Sequence, residues 1–99
     1  MADLRNINGF DWDQGNARKN EKHGVSAAEA EQVFFNDPVL IVADTRHSGS
    51  ELPFHALGKS DGERLIHITF TLRDGGRKIR VISARDMHRK ERAAYAQAT

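Results

Sequence analysis

The sequence predicts an α+β domain: two N-terminal helices, a four-stranded antiparallel sheet and a C-terminal helix, in a single unit spanning residues 1–99. Three observations carry this. From Ile66 to Leu72 apolar and polar residues alternate, as in a strand with one buried face. Asp74-Gly75-Gly76 then turns the chain into a second β-rich segment, Lys78–Arg85, which makes an antiparallel hairpin. Ahead of this hairpin two segments carry helix-capping signals, and behind it the chain from Asp86 has a helical pattern. The helices are expected on one face of the sheet, leaving the other open to a ligand.

Residues 1–9 are polar and read as a flexible lead-in, followed by Phe10-Asp11-Trp12-Asp13, whose aromatics anchor an extended segment to the core. Asp13 is placed as the N-cap of a helix over 14–23, and Gly24 supplies the left-handed residue that ends it. Ala17 is that helix's only hydrophobe, so it is expected to be exposed and held at its ends. Ser26-Ala27-Ala28-Glu29 has the pattern of a capping box, with Val25 and Ala30 as the hydrophobic staple. The helix over 27–35 aligns Ala27, Ala30, Val33 and Phe34 on its buried face, and Asn36-Asp37-Pro38 stops it.

Val39–Ala43 reads as a buried strand ended by Asp44, and 45–51 as a polar loop able to present His47, Ser48 and Glu51. Phe54–Lys59 is a second strand with Phe54 and Ala56 on one face and His55, Leu57 and Lys59 on the other. Ser60-Asp61-Gly62-Glu63 turns it into the third strand, where Ile66, Ile68, Phe70 and Leu72 face inward and His67, Thr69 and Thr71 outward. In the fourth strand strict alternation sets Ile79, Val81, Ser83 and Arg85 on one face and Lys78, Arg80, Ile82 and Ala84 on the other, so its cations reach both faces. The closing helix is expected to bury a stripe of Met87, Glu91, Ala94, Tyr95 and Ala98.

The net charge of +1 averages two unlike parts: residues 1–63 hold 6 Lys+Arg against 11 Asp+Glu, and residues 64–92 hold 9 against 3. This asymmetry suits a polyanion such as RNA, or an acidic protein; it is equally the pattern of a solvated cationic face. The chain has no cysteine, which removes disulfides and thiolate metal sites and is compatible with a reducing cytoplasm. No apolar run approaches the roughly 18 to 20 residues of a membrane span, and Met1–Asn6 lacks the apolar core of a secretory signal. The five histidines include no close ligand pair, so no metal site and no cofactor are expected.

Several motifs in fixed order carry a family resemblance. They are Phe10-Asp11-Trp12-Asp13, Asn20-x-Lys22-His23-Gly24-Val25-Ser26, Val33-Phe34-x-x-Asp37-Pro38, Asp44-x-x-His47-Ser48, Gly58, Arg80-Val81-Ile82-Ser83-Ala84-Arg85 and Arg89-x-Glu91-Arg92-x-x-Tyr95. Together they resemble the BrnT toxin family over residues 10–95. The resemblance implies a RelE-like fold and an endoribonuclease toxin that inhibits translation in the cytoplasm. It also implies a ribbon–helix–helix antitoxin as partner, through whose complex alone the toxin meets DNA.

Metal-independent RNA cleavage needs a base for the 2′-hydroxyl, an acid for the leaving 5′-oxygen and cations for the charged phosphorane. Arg80 is the leading cation, because its planar fork matches phosphate oxygens. Glu51, Lys59, His47 and His55 are the candidate acids and bases, and Lys78, Arg85 and Arg89 the candidate RNA contacts. For Arg80 the competing role is a sheet-surface ion pair, and for Arg85 a structural salt bridge. His23, at a helix C-terminus, and Trp12 and Phe10, in the core, are read as structural. One departure stands out: where the family usually has an arginine after its glutamate, this chain has Leu52-Pro53 after Glu51. Two functions therefore stand side by side, a ribonuclease toxin and a catalytically weak RNA- or protein-binding module of the same fold acting as co-repressor.

Overall fold

Local capping chemistry places the helices of the computed structural model, which describes residues 6–44, 46 and 52–99. Helix α1 (Gln14–Glu21) starts where Asp13 and Asn16 cap each other: the Asn16 amide donates to Asp13 Oδ1 at 3.1 Å and the Asp13 amide to Asn16 Oδ1 at 2.7 Å. It stops at Glu21, a little short of the expected 23, and Gly24 turns the chain with φ +72°. Helix α2 (Ala27–Phe35) starts at Ser26, whose hydroxyl accepts from the Glu29 amide at 3.1 Å. The reciprocal half of the expected box is replaced by a longer-range contact, since Glu29 Oε1 accepts from Arg64 Nη1 at 3.0 Å. Arg64 also donates to Asp86 Oδ1 at 2.6 Å and to the Gly24 carbonyl at 2.8 Å, tying the entry of α2 to the sheet.

The strands are β1 (Gly9–Phe10), β2 (Leu40–Ala43), β3 (Phe54–Lys59), β4 (Leu65–Arg73) and β5 (Lys78–Asp86), in the spatial order β1-β5-β4-β3-β2. The expected four antiparallel strands are present, but the sheet is five-stranded and mixed, because β1 adds in parallel beside β5. Two residues, one of them glycine, show no period-2 pattern, so this strand was invisible in the sequence. It also brings the supposed lead-in onto the sheet: the Asn8 amide donates to the Arg77 carbonyl at 2.8 Å. At the other edge β2 is less buried than its apolar run suggests, with Val42 exposed, because an edge strand has only one neighbour.

Cross-strand partners share a face. Ala56, Ile68 and Ala84 lie abreast, as do Phe54 and Phe70, and with Ile66, Ile79 and Val81 they form a core that Ala30 and Val33 of α2 cover. Phe70 is fully buried between Phe34, at 5.1 Å, and Phe54, at 5.5 Å. Trp12 and Phe10 pack as expected, Trp12 Nε1 donating to Glu31 Oε2 of α2 at 2.7 Å and Phe10 lying 5.7 Å from Phe34.

The final helix, α3 (Arg89–Ala98), starts three residues later than the sequence suggested, because β5 runs on to Asp86. Of its expected stripe Met87, just ahead of the helix, and Tyr95 are buried, the Tyr95 hydroxyl donating to the Pro38 carbonyl at 2.6 Å; Glu91 is half-buried, and Ala94 and Ala98 are exposed. Glu91 reaches Arg85 and His67 on the sheet face opposite α2. Helices therefore flank both faces, and the face expected to be wholly open is partly closed by α3.

Gly58 marks the closest approach of α2 to the sheet. A Cβ there would stand 2.8 Å from Val33 Cγ1 and 3.4 Å from the Val33 carbonyl oxygen. Gly58→Ala is expected to lower unfolding free energy by about 1–3 kcal/mol in urea denaturation. Adding Val33→Ala should return part of that loss, and a double variant showing only additive losses would refute this packing account.

Candidate functional site

The pairing of β4 with β5 slips by one residue: Phe70 pairs with Val81, Thr69 with Ser83, and Ile82 has no opposite number. This is a β-bulge, and it corrects the expected alternation. Before it, Ile79 and Val81 face the core while Lys78 and Arg80 face away. After it, Ala84 faces the core, and Ser83 and Arg85 join Lys78 and Arg80 on the outer face. Cations that strict alternation distributes over both faces thus share one. The same face carries His55 and Leu57 of β3 and His67 and Thr69 of β4, with Val42 of β2 beyond them. Among the described residues, Val42, Arg46, His55, Leu57, His67, Arg85 and Glu91 line a cleft of about 340 Å³ here.

At its centre lies a hydrogen-bonded line of titratable groups. His55 Nε2 is 3.0 Å from Asp44 Oδ2, and His55 Nδ1 is 3.1 Å from His67 Nε2 and 3.2 Å from Thr69 Oγ1. Asp44 is buried and is gripped by Arg46, which donates from its backbone amide and Nε to Oδ1 at 3.1 and 3.0 Å and from Nη2 to Oδ2 at 2.9 Å. The Arg46 bonds, then His55, hold this carboxyl far below the usual carboxylate range. The Asp44 amide donates to the Pro53 carbonyl at 2.9 Å, closing the base of the loop between β2 and β3.

His67 is buried, and loss of hydration lowers its pKa to about 4. Its ring is therefore neutral at pH 7. Among the described residues its buried Nδ1 has no hydrogen-bond partner, and the tautomer protonated on Nε2 is the one that leaves no buried N–H unpaired, since Nε2 is 3.1 Å from His55 Nδ1. Glu91 takes a bidentate fork from Arg85 at 2.8 and 3.0 Å and the His88 amide at 2.8 Å, which lower its pKa to about 2.

The remaining candidates lie apart from this line. Arg80 forks onto Asp13 at 2.8 Å and Asp11 at 3.4 Å beside the N-terminus of α1. Lys59 is four residues along β3 from His55, about 13 Å at strand rise. It borders a separate depression with Asn36, Asp37, Asp61 and Glu63. Arg89 is exposed on α3. His47 and Glu51 lie outside the described residues. A roomier cleft of about 400 Å³ opens on the other side of the sheet around Phe34 and Phe35. It is mainly apolar, and the acid among its described lining residues, Glu31, is engaged by Trp12.

Sequence reasoning passed over Asp44, His67, Thr69 and Glu91 as members of a site. The turn at Ser60–Glu63 was a usable signal: closing it with the Glu63 amide on the Ser60 carbonyl fixes Leu57 against His67 and makes His55 its diagonal neighbour. Among the described residues no group of three or more acids and histidines is arranged to hold a metal ion.

The buried neutral histidine predicts acid lability. Its folded pKa of about 4 lies below the unfolded value of 6.5, so the unfolded chain takes up the proton first as pH falls. The stability it contributes is complete above pH 6.5 and lost between pH 6.5 and about 4, a fall on the order of 3 kcal/mol. Glu91 continues the loss from about pH 4.5 towards 2. Urea denaturation of His67→Leu should lack the upper part of this slope, and a variant that keeps it contradicts the assignment.

A comparison with curated proteins returned no match. The family model described as "Ribonuclease toxin, BrnT, of type II toxin-antitoxin system" matches residues 12–91, from Trp12 through every described element of the cleft to Glu91. The chain belongs to the BrnT family of type II toxin–antitoxin ribonuclease toxins.

Proposed function

We propose that the chain is a RelE-like endoribonuclease that cleaves RNA without a metal ion, on the outer face of its sheet. It blocks translation in the cytoplasm until a ribbon–helix–helix antitoxin covers that face. DNA is reached only through the toxin–antitoxin complex. The observation that supports this reading best is the bulge at Ile82, which gathers Lys78, Arg80, Ser83 and Arg85 on the face that holds His55 and His67.

On that face His55 is the group placed to take the 2′-hydroxyl proton. Arg85, which lines the same cleft, supplies a cation for the phosphorane oxygens. Its fork is engaged by Glu91, so phosphate binds by sharing or displacing that carboxylate. Arg80 is held by Asp11 and Asp13 and contributes to the field along the RNA. His47 and Glu51 remain candidates for the acid that protonates the 5′-oxygen, whereas Lys59, about 13 Å along β3 from His55, is too far to act on the same phosphate and is left as an RNA contact.

The same ion pairs favour a second reading. Arg80 and Arg85 each already hold a carboxylate, and Leu52-Pro53 stands where the family usually has arginine. A face so neutralised suits a catalytically weak RNA- or protein-binding co-repressor.

Expression of the chain alone in a bacterium separates the two. The toxin reading expects growth arrest and cleaved RNA, with His55→Ala and Arg85→Ala each lowering cleavage about 10²-fold or more. Unimpaired growth and intact RNA with the unaltered chain would overturn it. The binding reading expects intact RNA together with RNA affinity that falls steeply with salt.

A further inference from the structure

Resting on the proposal that His55 takes a proton from RNA, we infer that Asp44 is a positioning residue that decides which nitrogen of His55 is basic. Ionised Asp44 offers His55 only lone pairs, so the proton of the neutral imidazole sits on Nε2 and points at Asp44 Oδ2, 3.0 Å away. Nδ1 is then the free base. Two donors converge on it, the Thr69 hydroxyl at 3.2 Å and His67 Nε2 at 3.1 Å. His67 serves this arrangement because its burial keeps it neutral, with its one proton on the nitrogen that faces His55. The substrate 2′-hydroxyl replaces the Thr69 hydroxyl at Nδ1 and hands over its proton there. Its oxygen bonds to the adjacent phosphorus as the P–O5′ bond breaks, and the leaving 5′-oxygen takes a proton from the general acid. The imidazolium formed keeps its Nε2–H on the Asp44 carboxylate, which stabilises the new charge.

The grip of Arg46 makes the idea testable with one atom. Two Arg46 donors, the backbone amide and Nε, bind Asp44 Oδ1, whereas Oδ2 faces His55 and takes only one Arg46 donor, Nη2. In Asp44→Asn the two Arg46 donors therefore hold the remaining oxygen at the Oδ1 position, and the new amide N–H group points at His55 Nε2. That nitrogen must now accept, so the ring proton moves to Nδ1 and the base is lost.

The experiment is ¹⁵N NMR of the histidine rings in the full-length chain at neutral pH, with single-turnover cleavage of RNA by the same samples. The unaltered protein is expected to show His55 protonated on Nε2, and Asp44→Asn on Nδ1. The turnover constant should fall by about 10²-fold or more with KM nearly unchanged. Arg46→Ala removes the Arg46 side-chain donors to Asp44 but keeps the carboxylate, and is expected to leave His55 protonated on Nε2. Equal effects of the two variants on the tautomer would mean that Asp44 acts only by holding the loop, and would overturn the inference. So would an unaltered protein with its His55 proton on Nδ1, or an Asp44→Asn chain cleaving at the original rate. If the unaltered chain leaves RNA intact, the ribonuclease reading fails, while the tautomer measurement still decides the role of Asp44. Should Asp44→Asn not fold, Thr69→Val carries the test: it removes one donor to Nδ1, and His55 is expected to stay protonated on Nε2.

Discussion

Because Ile82 has no partner in β4, the side chains of β5 change parity between Val81 and Ser83, and the outer face acquires Ser83 and Arg85 in addition to Lys78 and Arg80. A regular strand would have aimed Arg85 at the apolar core, where an unpaired guanidinium is costly. The bulge is held from the side. Asn16, buried at the start of α1, donates from Nδ2 to the Val81 carbonyl at 3.1 Å and to the Asp11 carbonyl at 3.0 Å. Asp13 caps the same helix and pairs with Arg80. The short N-terminal strand, the first helix and the bulge are thus one hydrogen-bonded unit.

Much of the fold follows from signals local in the sequence. The caps at Asp13 and Ser26, the turn at Asp74-Gly75-Gly76 and the alternation through Ile66, Ile68 and Phe70 each depend on residues close together in the chain. What was not legible depends on partners far apart. The parallel pairing of Gly9 and Phe10 needs β5 already in place. The bulge is a disagreement between two strands, visible in neither alone. Glu29 looked like half of a capping box, but Arg64, 35 residues away, takes its carboxylate. Tertiary ion pairs outweigh a local cap when the cation is also needed elsewhere, and Arg64 serves Asp86 as well.

The candidate site was half legible for the same reason. His55 and Arg85 stood out as residue types suited to acid–base and phosphate chemistry. His67 looked like an ordinary outward residue of an alternating strand, and Asp44 like a strand terminator. Their significance comes from burial: desolvation keeps His67 neutral, and Arg46 keeps Asp44 ionised. The burial of His67 is not written in its neighbouring residues, and Arg46, though two residues from Asp44, carries no sequence signal that it folds back onto that carboxylate. Burial also sets the limit on charge, since Arg80 and Arg85 reside on the outer face together with the carboxylates that neutralise them.

Central to this account is that the outer face of the sheet, and not the apolar cleft around Phe35, meets RNA. Titration of the labelled protein with a short RNA blocked at its 2′-hydroxyls, followed by NMR, tests that directly. Shifts concentrated at His55, His67, Ser83 and Arg85 are predicted. Shifts concentrated at Ile7, Phe34 and Phe35, with the outer face unmoved, would contradict it.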